Sequence, residues 1–154
     1  MRQLLKSVSV AACVMALQIP VWAADDRGTA AEATALVQRA AEYLKANGAA
    51  KSYAAFNDGA GQFKDRDLYV FVMDLNGKML SHGANAKLID KDLSNLKDSD
   101  GKLFIKAMLD VAKAKGKGWV DYKWPHPVTK AIEPKSTYVE KIDDLVIGCG
   151  IYKQ

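Results

Sequence analysis

Between Thr29 and Asn47 the apolar residues Ala33, Leu36, Val37, Ala40, Tyr43 and Leu44 recur at steps of three and four, the period that gathers side chains into one stripe of an α-helix. The pattern predicts a long helix with one buried face, ended by Asn47-Gly48, which can supply a left-handed cap. A short helical turn carrying Tyr53 and Phe56 should follow, broken by Asn57-Asp58-Gly59, before Phe63 leads into a sheet.

Leu68 to Met73 is an apolar run rich in β-formers, and Met79 to His82 is a second. The connecting Asp74-Leu75-Asn76-Gly77 contains Asn-Gly, which accepts the positive φ angles of a tight hairpin. Asp98-Ser99-Asp100-Gly101 is expected to open another helix, with Leu103, Phe104, Ala107, Met108, Val111 and Ala112 on one face and Gly116 at its end. Three strands close the chain, Gly118 to Trp124, Lys135 to Lys141 and Leu145 to Ile151, separated by Pro125-His126-Pro127 and by Asp143-Asp144. This order lacks the strand-helix alternation that builds a parallel sheet. It predicts an α+β fold: one five-stranded antiparallel sheet, a long N-terminal helix, a second helix between strands 2 and 3, and the helices segregated to one side.

The N-terminus has a different texture. Arg2 and Lys6 precede an uncharged run from Ser7 to Ile19, then Pro20 and Val21-Trp22-Ala23. A run of about 13 residues is too short to cross a bilayer as a helix, and the pattern fits a secretory signal cut after a small residue. The expectation is a signal peptide over 1–23, no membrane anchor, and a single domain over 24–154 in the periplasm. Val10-Ala11-Ala12-Cys13 superficially matches a lipoprotein cleavage box, but the apolar run continues past the cysteine to Ile19.

Removing the signal lowers the formal charge from +4 to +2 by taking away Arg2 and Lys6. The remaining basic residues are interspersed with acids, so an exported nucleic-acid binder is excluded. Cys149 is then the one cysteine left, which forbids an internal disulfide; in the run Val146 to Ile151 it reads as a small buried hydrophobe rather than a reactive thiol. Counting twelve positions from Asp74 or Asp98 reaches Asn85 or Leu109, not the bidentate carboxylate of an EF-hand. His82 and His126 lie far apart without cysteines or carboxylates at ligand spacing, so no zinc site is expected. No nucleophile, phosphate-loop or haem motif is present. The reading is a non-enzyme without metal or cofactor.

Three segments resemble one family: YVFVMDLNGKMLSHG at 69–83, GWVDYKWPHPVTK at 118–130 and EPKSTYVEKIDDLVIGCGIY at 133–152. In this order they look like a single Cache domain of the second type, the small-ligand sensor module found outside the membrane in bacterial chemoreceptors and histidine kinases. The resemblance implies a PAS-like sheet with a pocket on one face, commonly occupied by small carboxylates, and a role in signal transduction and chemotaxis. Receptors of this kind continue into a membrane helix, whereas this sequence ends at Gln154, so a soluble sensor half is expected. It should bind a small monocarboxylate such as acetate, pyruvate, lactate or propionate. The alternative is an interaction module with a vestigial pocket that docks on a receptor or histidine-kinase ectodomain. In either case a monomer or weak homodimer is expected.

Alternation puts Val120, Tyr122 and Trp124 on one face of their strand and Trp119, Asp121 and Lys123 on the other. Core packing accounts for such aromatics, but Tyr122 and Trp124 also carry polar tips suited to an anionic ligand. Lys135, after Glu133-Pro134, reads on its own as a solvated edge residue. The resemblance instead implies that it anchors the ligand carboxylate, and Arg27, Arg39 and Arg66 all fall outside the matching segments. The candidate ligand-binding set is Lys135, Tyr138, Tyr122, Trp124, His82 and Tyr69, with Tyr69 as pocket wall. Strict alternation separates Lys135 from Tyr138, so both can face a pocket only across a bulge. His82 falls in a matching segment; His126, between prolines, reads as a structural residue of an exposed turn.

Overall fold

The computed structural model describes residues 27–153; the expected signal segment lies outside them. Helix α1 (Ala30–Asn47) starts at a capping box, in which Thr29 Oγ1 accepts from the Glu32 amide and the Glu32 carboxylate accepts from the Thr29 amide. It ends at Gly48, whose φ of 74° favours glycine. Its stripe of Ala33, Leu36, Val37, Ala40 and Leu44 is buried. Helix α2 (Ala49–Asn57) drives Phe56 edge-on into Phe63, ring centres 4.6 Å apart.

A two-stranded ribbon, β1 (Lys64–Asp65) with β2 (Leu68–Tyr69), turns through Arg66 at φ 55°. The main sheet contains β3 (Phe71–Asp74), β4 (Met79–His82), β5 (Lys117–Pro125), β6 (Ile132–Ile142) and β7 (Leu145–Tyr152) in the order β4-β3-β7-β6-β5, every neighbour antiparallel. Helix α3 (Phe104–Lys115) lies between the second and third strands of this sheet in sequence. The α+β architecture is the expected one.

Three expectations need correction. The helices do not share a side: Val70, Val72, Ile147 and Cys149 pack with α1, while the alternate residues Phe71, Met73 and Val146 pack with α3. The central strands are apolar on both faces, and each face requires cover. The β3–β4 connection is not a two-residue turn, because only Gly77 takes a positive φ and the register shifts between Val72 and Met73. Asp74 Oδ1 accepts from the amides of Asn76 and Lys78. Helix α3 likewise begins later, since Asp98 Oδ1 caps a separate turn through the amides of Asp100 and Lys102. Its buried face is Phe104, Ile105, Met108, Leu109 and Ala112, rotated from the expected one so that Leu103, Ala107 and Val111 are half-buried.

Candidate functional site

The α3 side of the sheet carries the candidate chemistry. Along β6, the residues facing it are Lys135, Thr137 and Val139, paired across the β7 ladder with Tyr152, Gly150 and Gly148. The two glycines make space. A Cβ at Gly148 would run into the Phe71 ring, and one at Gly150 into the Lys135 stem and the Thr137 hydroxyl. Cys149 points the other way, fully buried in the α1 core.

Lys135 is 1% exposed. Its ammonium donates to the hydroxyls of Tyr69 at 2.6 Å and Tyr152 at 3.2 Å, and it stands 4.2 Å and 4.6 Å from the centres of the two rings. Electron-rich ring faces favour a cation there. Among the described residues no carboxylate lies within ion-pair distance of it; every ion pair involves other cations. Burial therefore pushes the ammonium down to about 7, opposed in part by Cys149 and Asp67. Burial also holds the Tyr69 and Tyr122 phenols well above their usual range, so both remain neutral donors.

An inner chamber of about 20 Å³ opens beside this cluster, with room for roughly one water molecule. Phe71, Met79, Phe104 and Met108 make it apolar, and Tyr69, His82, Tyr122 and Trp124 bring polar tips to it. Phe104, at the start of α3, stacks on Tyr122 with centres 4.4 Å apart and planes 2° from parallel. The Tyr122 hydroxyl meets Thr137 Oγ1 at 3.1 Å. An outer chamber of about 300 Å³ shares the wall formed by Tyr69, His82 and Trp124.

His82 terminates β4, and its Nδ1 accepts from the amides of Ala84 and Asn85 at 3.2 and 2.9 Å. That assigns the proton to Nε2. Burial, with the nearby Lys135, pushes the imidazole down to about 3, so it stays neutral. His126 has the same local geometry, with Nδ1 accepting from the amides of Val128 and Thr129. It is not in an exposed turn: it is buried, its ring meets Tyr152 at 4.6 Å, and its Nε2 lies 3.7 Å from Asp67 Oδ2. Asp67 accepts from the Gly28 amide through Oδ1, while buried Oδ2 has no hydrogen-bond partner among the described residues.

Of the candidate residues, the fold brings Lys135, Tyr69, Tyr122, Trp124 and His82 to one face. Lys135 reaches the chambers through Tyr69, which lines both, rather than lining either itself. Tyr138 is on the opposite face, in the α1 core, with its hydroxyl donating to Glu140 at 3.0 Å. The β6 register is regular from Lys135 to Tyr138 against both neighbours, so there is no bulge to turn Tyr138 inward. Arg66 is tied to Glu32 and Asp65 at the rim of the ribbon. Sequence reasoning missed Tyr152 and His126. Tyr152 was detectable as the last inward position of the Gly148-Gly150-Tyr152 alternation; the burial of His126 depends on how its loop folds back.

Two signalling proteins match part of the chain. The methyl-accepting chemotaxis protein McpP of Pseudomonas putida is 38% identical over 90 residues, 57% of this chain and 16% of that protein. The sensor histidine kinase MctS of Rhizobium johnstonii is 34% identical over 89 residues, 56% of this chain and 19% of that protein. The match thus spans less than a fifth of either relative. Among solved structures, one described as the basis for carboxylic acid recognition by a Cache chemosensory domain superposes with a TM-score of 0.68 at 27% identity, covering 80% of this chain and 92% of that one. A methyl-accepting chemotaxis protein from Vibrio parahaemolyticus gives 0.67 at 29% identity, covering 79% and 86%. No helix of the described residues is long and apolar enough to cross a membrane, and no group of three or more His, Cys, Asp or Glu among them could hold a metal ion. The profile of the single Cache domain 2 family matches residues 23–154, and the chain belongs to that family of non-catalytic, extracytoplasmic sensor modules.

Proposed function

We propose that this chain is a periplasmic binding module for a small monocarboxylate, of the acetate, pyruvate, lactate or propionate class, and that it passes ligand state to a receptor or histidine-kinase partner. The observation that carries this reading is the buried Lys135 ammonium, held by two phenols and two ring faces with no carboxylate in ion-pair range among the described residues. A buried cation in such a setting gains from an incoming anion what it lacks from the protein. The carboxylate accepts from Lys135 and the Tyr69 hydroxyl, while the Tyr152 hydroxyl, which donates to the Pro125 carbonyl, helps hold the lysine, and the short apolar end of the ligand lies against Phe71 and Phe104. Because the inner chamber is about 20 Å³, room for roughly one water molecule, the acid enters only by displacing lining side chains, which favours the smallest acids. The likeness to a carboxylate-recognising Cache structure and to a chemotaxis receptor and a sensor kinase supports the same class of ligand and use. Residues 1–23 act as the export signal, leaving 24–154 as the sensor.

Thermal unfolding against a panel of these acids tests the proposal. Occupancy at 100 times Kd should add about 2.7 kcal/mol of stability. A flat response across the panel favours the second reading, an interaction module with a vestigial pocket. The observation on that side is the exposure of Trp119, Val128 and Ile132, at 39%, 70% and 54%.

A further inference from the structure

The outer chamber is fifteen times the volume of the inner one, about 300 against about 20 Å³, and it is chemically different. Nothing in the proposed carboxylate site uses its rim. Its lining contains no Asp or Glu, while Lys87 and Lys130 both border it. Lys87 makes no ion pair among the described residues, and the Lys130 ammonium is placed by donating to the Pro127 carbonyl at 2.6 Å. Asp67 is buried behind His126 and does not line the space.

A donor faces this chamber as well. His82 is 5% exposed, its Nδ1 is occupied by two amides, and no described residue accepts from Nε2–H. That N–H is open to the chamber rather than sealed in the core, so an acceptor on a ligand can meet it. The walls are flat: the Trp124 indole, the Tyr69 and His126 rings, and Pro125 and Pro127. Flat apolar walls with cations at the rim and one inward N–H match a planar ring bearing a single negative charge.

We propose that the outer chamber is a second binding site, for a small aromatic carboxylate, whose carboxylate meets Lys87, Lys130 and His82 Nε2–H while its ring lies against Trp124 and the proline-flanked His126. The two sites share the wall of Tyr69, His82 and Trp124 but differ in their cations, because neither lysine at the rim belongs to the inner cluster.

Calorimetric titration of sodium benzoate into the full chain tests it, with cyclohexanecarboxylate as a comparator of equal charge and non-planar body. Benzoate should bind more tightly than the comparator. The double variant Lys87→Gln/Lys130→Gln, which changes only exposed side chains, should weaken benzoate by about tenfold, the equivalent of about 1.4 kcal/mol. Lys135→Met should leave benzoate within about twofold. Absence of benzoate binding at millimolar concentration, equal affinity in the double variant, or loss confined to Lys135→Met would each overturn the proposal. Failure of the small-acid reading looks different: acetate and propionate give no heat while benzoate still binds.

Discussion

The Lys135 ammonium stands 2.6 Å from the Tyr69 hydroxyl and 4.2 Å from the centre of the same ring, joining β6 to the β2 ribbon across 66 residues of sequence. The contact is polar and buried on both sides, and it leaves a positive charge without a carboxylate partner among the described residues. A stable protein carries such an arrangement at a cost, which fits a group kept for binding rather than for folding.

Binding should therefore be linked to protons. In the empty protein burial lowers Lys135 to about 7 from an ordinary 10.5, and a bound carboxylate favours the charged form again. At pH 8 the lysine is mostly neutral, so each carboxylate bound should bring in close to one proton; at pH 6 it is already charged and uptake should vanish. Titrations in two buffers of different ionisation enthalpy read this directly, and equal uptake at both pH values would contradict it. The sign for folding is opposite in sense. Between 7 and 10.5 the unfolded chain binds the extra proton, so stability of the empty protein should rise with pH across that window.

Gly150 should be intolerant of a side chain. Its backbone is ordinary strand, but a Cβ there meets the Lys135 stem and the Thr137 hydroxyl. Gly150→Ala is expected to cost about 1–3 kcal/mol of stability by overpacking and to weaken the small acid through the displaced lysine. Gly59→Ala, where the nearest neighbour is Lys64 Nζ at 3.9 Å, is the control. Chemical denaturation and calorimetry on the pair check both effects.

The tyrosines should divide by face. Tyr69→Phe and Tyr152→Phe each remove a hydroxyl that accepts from Lys135, and each should weaken the acid by about 1–3 kcal/mol. Tyr138→Phe removes a hydroxyl that serves Glu140 on the α1 side, so affinity should be unchanged. Titration of all three variants with one acid gives the comparison, and a loss in Tyr138→Phe alone would reverse the assignment of faces.

Export makes a separate prediction. Mass spectrometry of the native protein should find Ala24 at the N-terminus and no lipid. An intact Met1, or a diacylglyceryl group on Cys13, would contradict it.

Much of this arrangement was legible in the sequence because it follows from short periods. The three-and-four spacing of α1 and the alternation of Val120, Tyr122 and Trp124 each place side chains on a face without reference to distant residues. Alternation also separated Lys135 from Tyr138, and the regular register of β6 keeps them apart. What was not legible depends on register between strands and on loop return. Gly150 makes space for Lys135 only because Thr137 and Gly150 pair across the ladder. His126 is buried only because its loop folds its ring against Tyr152 and its Nε2 toward Asp67, both remote in sequence. The two-sided cover of the sheet follows from the doubly apolar β3 run, whose alternate residues Val72 and Met73 need a helix on each face.

Whether Lys135 anchors the acid is read most directly by calorimetry of the small monocarboxylates on wild type and Lys135→Met at pH 6, where the lysine is charged. The variant keeps the stem volume at a buried position and loses only the ammonium. Lys135→Met should fold, and its affinity for the best acid should fall by about 2–5 kcal/mol, the usual loss when a charged partner of a buried ion is removed. A folded variant that binds the same acid with unchanged affinity would contradict that anchoring role.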